Sequence, residues 1–293
     1  MTAPTVIPAK AGIHLPEVST LLLKLDGGVL HVTLNRPESR NALSTAMVAD
    51  LNAVFDAVAA SAPGIVRALV LRGAGGHFCA GADLKEMMAN SQRLGSDPNR
   101  TGSDPVYASD PVFTYNRGFG TMLRKVGALP CVVIAVCEGA VLAGGFGFAC
   151  VSDIALAHVD AKFGVPETTR GLPPAQIAPF IVERIGLTQT RRLCLTGAMF
   201  RGEEACQLGI VHELWADEAA LQVRLKETLD QVLGCAPLAN AMTKEIVMNA
   251  GRKPLDEVLD DAARKFSSAV RGAEAPEGIA AFMQKRKPKW ATP

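Results

Sequence analysis

Apolar and polar positions change their period several times along the chain, and each change predicts an element. Leu21 to Leu25 and Val29 to Leu34 are apolar-rich runs separated by Asp26-Gly27-Gly28. An Asp-Gly pair between two such runs predicts a β-hairpin. Ser44 stands where a helix cap is needed, and Met47, Val48, Leu51, Val54, Phe55 and Val58 then repeat at the helical period. Ala68 to Leu71, Val132 to Val136 and Ile154 to Ala157 are unbroken apolar runs of strand length. Strand, turn and helix recur at irregular spacing, which predicts an α/β architecture with parallel crossings.

Between Met87 and Arg117 the pattern lapses. Gly95-Ser96-Asp97-Pro98, Gly102-Ser103-Asp104-Pro105 and Asp110-Pro111 are breaker signals. A long patternless stretch inside a domain predicts a lid or a disordered segment. Its place directly after a glycine-bearing turn favours a mobile lid. After about Arg201 the helical period returns, with Leu221, Leu225, Leu229, Val232 and Leu233 on one helix and Leu255, Val258, Leu259, Ala262, Ala263 and Phe266 on another. Pro276 sits at a helix start beside Glu274 and Glu277. The expected organisation is a flexible arm over 1–18, a core over 19–200 carrying the lid segment 87–117, and a helical subdomain over 201–293.

Composition narrows the function classes. The chain has 293 residues, 48% apolar and 20% charged, which fits an ordinary soluble domain or two. A net charge of +1 argues against nucleic acid or a membrane surface as the main partner. No apolar run reaches the ~18 residues of a membrane span. Three prolines and no apolar core in the first eighteen residues argue against a secretory signal. Seven scattered cysteines form no Cys-x-x-Cys pair, so neither a disulfide framework nor a metal site is expected, and a reducing, cytoplasmic setting fits.

Two glycine-bearing turns carry the candidate chemistry. The first runs from Gly75 to Leu84 and the second from Glu138 to Gly147, each after an apolar strand run and before a helical pattern. Two strand-to-helix turns of bare backbone can aim two N–H groups at one oxygen, the geometry of an oxyanion hole. Neither turn suits a phosphate: Gly145-Phe146-Gly147 lacks the third glycine of a dinucleotide fingerprint, and no P-loop lysine follows a glycine run. There is no Gly-x-Ser-x-Gly elbow and no His-Glu-x-x-His helix. The five histidines form no cluster and read as structural. Acid–base work by a carboxylate remains, and Glu167, among Phe163, Val165 and Pro166, is the best candidate because partial desolvation would raise its pKa. Glu138 and Asp153 are expected to fix turns through backbone hydrogen bonds.

Five segments in order resemble the crotonase superfamily, also called the enoyl-CoA hydratase/isomerase family. They are Leu34 to Pro37 with Asn41 to Leu43, Cys79 to Leu84, Gly139 to Gly147 with Cys150 to Ile154, Phe163 to Glu167, and Phe282 to Pro288. The resemblance covers roughly Leu22 to Trp290. It implies a spiral of ββα units with a C-terminal helical trimerisation subdomain, and a trimer or a dimer of trimers. It further implies that the N–H groups of Ala82 and Gly144 grip a thioester oxygen and that Glu167 handles the α-proton. CoA contacts are implied for Arg40, Ala80, Ala82, Asp83, Leu84, Lys85, Gly144 and Gly147, with Phe282 and Lys285 reaching the CoA of a neighbouring subunit. The expected partner is an acyl-CoA thioester, with coenzyme A entering as part of the substrate, no separate cofactor and no metal.

Two departures bear on the reaction. Hydratases of this family carry a second glutamate three residues after the oxyanion glycine, where this chain has Gly147. Glu167 would then do both jobs, or Asp110 or Tyr115 would help hold the water. A single carboxylate also suits the Δ3,Δ2-enoyl-CoA isomerases, and a homologue that binds CoA ligands or RNA without catalysis is the alternative of another class. The tract Pro166 to Gln176 resembles the subgroup that hydrates isohexenylglutaconyl-CoA, whose free carboxylate Arg170 or Arg40 would meet.

Overall fold

The computed structural model describes residues 12–92 and 110–291. Strands β1 (Leu21–Asp26) and β2 (Val29–Leu34) form the expected antiparallel hairpin, with Asp26 opposite Val29. Helix α1 (Thr45–Ala60) starts at Ser44, whose Oγ accepts the Met47 N–H at 3.1 Å. It buries Met47, Leu51, Val54, Phe55 and Val58. Strand β3 (Ala68–Gly73) is followed by helices α2 (Leu84–Gln92) and α3 (Pro111–Gly127). Then come β4 (Val132–Cys137), β5 (Ala140–Leu142), α4 (Gly144–Val151), β6 (Ile154–His158) and β7 (Lys162–Gly164). The chain continues through α5 (Ala178–Thr196), β8 (Met199–Arg201), α6 (Gly202–Gln207) and β9 (Glu213–Trp215). It ends in α7 (Glu218–Gly234), α8 (Pro237–Asn249), α9 (Leu255–Arg271) and α10 (Glu274–Met283).

One sheet has the order β1-β2-β3-β4-β6-β9, parallel throughout after the hairpin. Its strands are apolar on both faces because both faces are covered. Leu69, Leu71, Val133 and Ala135 join a core shared with α1, α3, α4 and α5, while Ala68, Val70, Ile134 and Val136 pack with Leu221 and Val232 of α7. A smaller sheet, β5-β7-β8, forms a second layer. Isolated parallel bridges Leu43–Ala82 and Cys79–Val141 extend that layer. Each turn of the chain thus takes a long strand, a short extended piece of the second layer, and a helix. The pieces are β2, Leu43 and α1; β3, Cys79–Ala82 and α2; β4, β5 and α4; β6, β7 and α5. That is the crotonase-like spiral of ββα units.

Two expectations need correction. Within the segment expected to be a patternless lid, 87–92 completes α2 and 111–117 opens α3; only 93–109 lies outside the described residues. Asp110-Pro111 is a helix start, not a break: Asp110 Oδ1 accepts the N–H groups of Val112 at 2.8 Å and Phe113 at 3.3 Å, and proline occupies the first turn. The region after Arg201 is also not wholly helical, since β9 pairs with β6 at the edge of the large sheet. Three-residue strands carry too short an alternation to show in the sequence.

The C-terminal helices are fastened to the sheet by charged side chains. Arg67, just before β3, donates to the carbonyls of Leu233 (2.5 Å), Cys235 (2.8 Å) and Trp290 (2.7 Å). Lys244 of α8 pairs with Asp153 at 2.7 Å, and Asp153 Oδ2 also accepts the Val133 N–H at 2.7 Å. Asp153 therefore holds the start of β4, a strand, where it was expected to fix a turn. Glu138 instead pairs with Arg72 at 3.1 Å.

Candidate active site

The first glycine turn leaves β3 and is stitched to β5. Cys79 donates to the Ala140 carbonyl at 2.9 Å, and Leu142 donates to the Cys79 carbonyl at 3.0 Å. Gly81 has φ 95°, a conformation that L-residues avoid. A Cβ there would lie 2.5 Å from Ala143 Cβ and 3.5 Å from the Gly144 nitrogen, so the first turn presses directly on the second. Leu43 clasps the residues either side of Ala82: its N–H donates to the Gly81 carbonyl at 2.8 Å and its carbonyl accepts the Asp83 N–H at 3.0 Å.

The second turn follows β5. Ala143 holds φ 51°, ψ −118°, a strained setting for alanine, with its N–H on the Gly164 carbonyl at 3.0 Å. Gly144 then opens α4, so its N–H sits at the positive end of a helix. A Cβ on Gly144 would meet Leu43 Cδ1 at 2.8 Å and Phe119 Cζ at 2.9 Å. Neither the Ala82 nor the Gly144 N–H donates to an acceptor among the described residues.

Strand β7 delivers Glu167 to the same edge. β5 and β7 are parallel with Leu142 opposite Gly164, so the Gly144 turn and the Glu167 turn leave adjacent strand ends on one side. Glu167 lies in the 3-10 turn Pro166–Arg170, anchored by Thr168 Oγ1 on the Cys194 carbonyl (3.0 Å) and Thr169 Oγ1 on the Pro166 carbonyl (2.7 Å). Its Oε2 is buried and has no hydrogen-bond partner among the described residues. Burial raises the Glu167 pKa, outweighing the lowering by its own backbone N–H and by Arg170.

The remaining expected residues divide. Arg40 and Ala80 are joined by the Ala80 N–H on the Arg40 carbonyl at 3.0 Å, and the Arg40 side chain is exposed beside the first turn. Leu84 and Lys85 are exposed at the start of α2. The Asp83 carboxylate is engaged internally, pairing with Arg36 at 3.0 Å and accepting the Glu86 N–H at 3.3 Å. Burial alone would raise the Asp83 pKa, but Arg36 and the backbone donors hold it below the usual range. Gly147 is buried, and a Cβ there would lie 2.7 Å from Ile177 Cγ2 and 3.1 Å from Leu123 Cδ1. A side chain at this position would therefore point into packing. Asp110 and Tyr115, named as helpers for a water, are both committed: Asp110 caps α3 and the Tyr115 hydroxyl donates to the Leu43 carbonyl at 2.8 Å. Phe282 and Lys285 are exposed at the end of α10, which packs on α9, and a single chain does not join them to the glycine turns.

Several site-building roles escaped the sequence reading. Asn41 is fully buried and donates to the Ala74 (2.9 Å) and His77 (2.6 Å) carbonyls, while its Oδ1 accepts the Arg36 N–H (2.9 Å). It braces the first turn from inside. His77 Nδ1 accepts the Ala140 N–H at 3.0 Å, a structural part as expected. Asn41 entered the sequence reading as part of the first resembling segment, but its bracing of the turn did not. Nothing in the letters marks Ala143 as strained.

A family model described as enoyl-CoA hydratase/isomerase matches residues 24–293. The structure of Pseudomonas aeruginosa AtuE is 54% identical, covers 94% of this chain and 100% of its own, and superposes with a TM-score of 0.84. That of an enoyl-CoA hydratase/isomerase from Marinobacter aquaeolei is 50% identical over 93% and 99% of the two chains, also with a TM-score of 0.84. A mevalonyl-coenzyme A hydratase from Beauveria bassiana is 31% identical over 89% of this chain and 91% of its own.

Proposed function

This chain belongs to the enoyl-CoA hydratase/isomerase family, and from that footing we propose that it adds water to a 2-enoyl-CoA thioester. The thioester oxygen accepts the Ala82 and Gly144 N–H groups. Water attacks the β-carbon, and the displaced electron pair collects on that oxygen as an enolate. The two amides and the helix end behind Gly144 stabilise the developing charge. Glu167 takes one proton from the attacking water and returns it to the α-carbon on the same face. The observation that carries this reading is the buried, unpartnered Oε2 of Glu167 beside the Gly144 turn. A desolvated carboxylate with a raised pKa keeps its proton to a higher pH than a free glutamate, which suits a group that must both accept and release one.

Coenzyme A enters with the substrate, and the reaction draws on no metal and no separate cofactor. Arg40, Ala80, Leu84 and Lys85 line the approach to the first turn and are assigned to the CoA moiety. Phe282 and Lys285 serve a neighbouring subunit's CoA in a trimer or a dimer of trimers. The proposed acyl group is branched and glutaconyl-like, with Arg40 or Arg170 on its free carboxylate. One observation favours a second reading, isomerisation of the double bond: the Gly147 position is closed by Ile177 and Leu123, so no second carboxylate holds a water there.

Product mass in heavy-oxygen water separates the two, using crotonyl-CoA and a branched, carboxylated glutaconyl-CoA. Label in the acyl product is the expected result. A shifted double bond without label establishes isomerisation instead. Tight thioester binding with no turnover of any enoyl-CoA removes catalysis altogether.

A further inference from the structure

We infer that Tyr115 is a positioning residue that sets the Ala82 N–H, and so one half of the oxyanion hole. The inference rests on the hydratase reading and deepens it. Ala82 is held only through its neighbours. Leu43 binds Gly81 and Asp83 in an isolated bridge, outside any longer ladder. The Leu43 carbonyl has two lone pairs. One takes the Asp83 N–H and the other takes the Tyr115 hydroxyl at 2.8 Å. The phenol therefore adds a third hydrogen bond to Leu43, whose backbone makes the two that flank Ala82.

Leu43 also reaches the second donor. Its Cδ1 lies 2.8 Å from where a Cβ on Gly144 would be, and Phe119, one turn beyond Tyr115 on α3, closes the same spot at 2.9 Å. The side of α3 that carries Tyr115 and Phe119 thus touches both oxyanion turns. Asn116 on the same helix accepts the Gln176 side-chain amide at 3.0 Å, which ties in the loop that follows Glu167. Val112, Tyr115 and Asn116 line a small cavity with Ala82, so α3 flanks the reacting groups directly. Burial, with Glu86 and Asp83 nearby, pushes the Tyr115 phenol up to about 12. It stays protonated across the working range and acts as a fixed donor, not as an acid or base.

Tyr115→Phe keeps the ring and removes the O–H. A β-ketoacyl thioester such as acetoacetyl-CoA ionises to an enolate that absorbs in the near ultraviolet, so its bound midpoint pH reports the strength of the oxyanion hole. The expected result is a melting temperature close to that of the parent and a KM changed less than about twofold. The kcat should fall roughly tenfold, a fraction of the hundred- to thousandfold cost of losing a donor outright. The enolate midpoint should rise by about one pH unit, the same tenfold read at equilibrium. A purely structural tyrosine would move melting without moving that midpoint.

Should the phenylalanine variant fold poorly, 3-fluorotyrosine placed at 115 alone strengthens the donor with little change of shape. The midpoint should then move down. An unchanged midpoint in the folded variant overturns the positioning role alone. Absence of any enolate band in the parent protein overturns the oxyanion reading itself, and the role of Tyr115 with it.

Discussion

Helix α4 buries Gly144, Phe146, Phe148, Ala149 and Cys150, whereas α9, twice its length, buries Val258 and leaves Leu255, Leu259, Phe266 and Val270 in solvent. The glycine turns are completed inside one chain, by Leu43, Asn41 and α3. The C-terminal helices are completed only in part: they pack on one another, hang from Arg67 and Lys244, and present an apolar stripe outward. Those four residues recur at helical spacing on one face, as core residues do. At 73% exposed, Phe266 shows that an amphipathic pattern specifies a buried face without saying whose surface buries it. Phe282, at 86%, lies on the same unfinished region. The contrast is between a self-sufficient half, which holds the glycine turns and Glu167, and an unfinished half whose apolar stripe no described residue covers.

The largest expected effect strikes the self-sufficient half. Glu167→Gln should lower kcat by about a hundred- to ten-thousandfold, the usual worth of a positioned acid–base group. It should do so without loss of stability. The Glu167 pKa is raised in the folded protein from its ordinary 4.5. The folded chain then holds more protons than the unfolded chain between those two values. The stability contributed by this group is full below 4.5 and is lost as pH rises through the folded value. Above the folded value the ionised carboxylate is a burden, so there the amide should leave melting unchanged or raise it. The parent's kcat/KM should fall on its acidic side at a pH above the ordinary glutamate range, and the variant should lose that limb. A variant with unimpaired turnover, or one that melts well below the parent, would show that Glu167 is part of the frame.

Next is a substitution that puts back the second glutamate which the resemblance leads one to expect at Gly147. Gly147→Glu places a carboxylate where Ile177 Cγ2 and Leu123 Cδ1 leave no room for a Cβ. Overpacking and an unpaired buried charge together should remove about 3 kcal/mol or more. For a chain of this size that is a fall in Tm of roughly 5 °C or more. Hydration should not improve. A stable variant with faster label uptake from heavy-oxygen water would mean that α3 and Ile177 yield, and that one carboxylate is a limitation of the parent.

These two positions show what the letters could carry. The hairpin, α1 and the buried strands were legible because period and capping are local: Ser44, Met47 and Asp26-Gly27 each act within a few residues. Glu167 was legible as a carboxylate among apolar neighbours, and burial is what raises its pKa. Gly147 was legible as a missing acid but not as a filled space, because Ile177 is thirty positions away and belongs to another element. The same holds for Asp110 and Tyr115. Both were read as free polar groups, and both are spent on backbone partners that only the fold supplies. Ala143 carries its strain in φ and ψ, which no residue name encodes.

Phe266→Lys tests the unfinished half. The residue touches little within its own chain, so the single-chain fold should persist. If copies of the chain meet across α9, a buried aromatic anchor there is worth about 2 kcal/mol or more of association. The dissociation constant should rise roughly thirtyfold, visible in sedimentation as smaller species at low concentration. KM for the CoA thioester should rise along with it, while the pH of the acidic limb stays put. An assembly unaffected by the charge would detach α9 from the interface and return its stripe to the category of unexplained surface.

The smallest effects give the finest discrimination, because both halves hold a non-glycine residue in a left-handed setting. Ala143 has φ 51° beside Gly144, and Lys285 has φ 52° at the end of α10. At α10 the Lys285 N–H binds the Phe282 carbonyl (3.1 Å) and the Arg286 N–H binds the Ala281 carbonyl (3.0 Å), the double closure that favours glycine. Lys285→Gly relieves about 1–2 kcal/mol of strain. It gives back roughly 0.4–1 kcal/mol through a freer unfolded chain. With an exposed side chain and no packing to lose, stability should rise by about 0.5–1 kcal/mol. If Lys285 meets CoA, KM should rise while kcat holds. Ala143→Gly relieves about 1–3 kcal/mol. It forfeits a buried methyl worth about 0.8 kcal/mol as well as the same chain entropy. The net should lie near zero, and kcat should fall several-fold because the residue fixing the Gly144 amide has been loosened. Should Ala143→Gly behave like Lys285→Gly, gaining stability at full kcat, the strain before Gly144 is incidental. The rigidity of the oxyanion turn would then have to come from Leu43 and α3 alone.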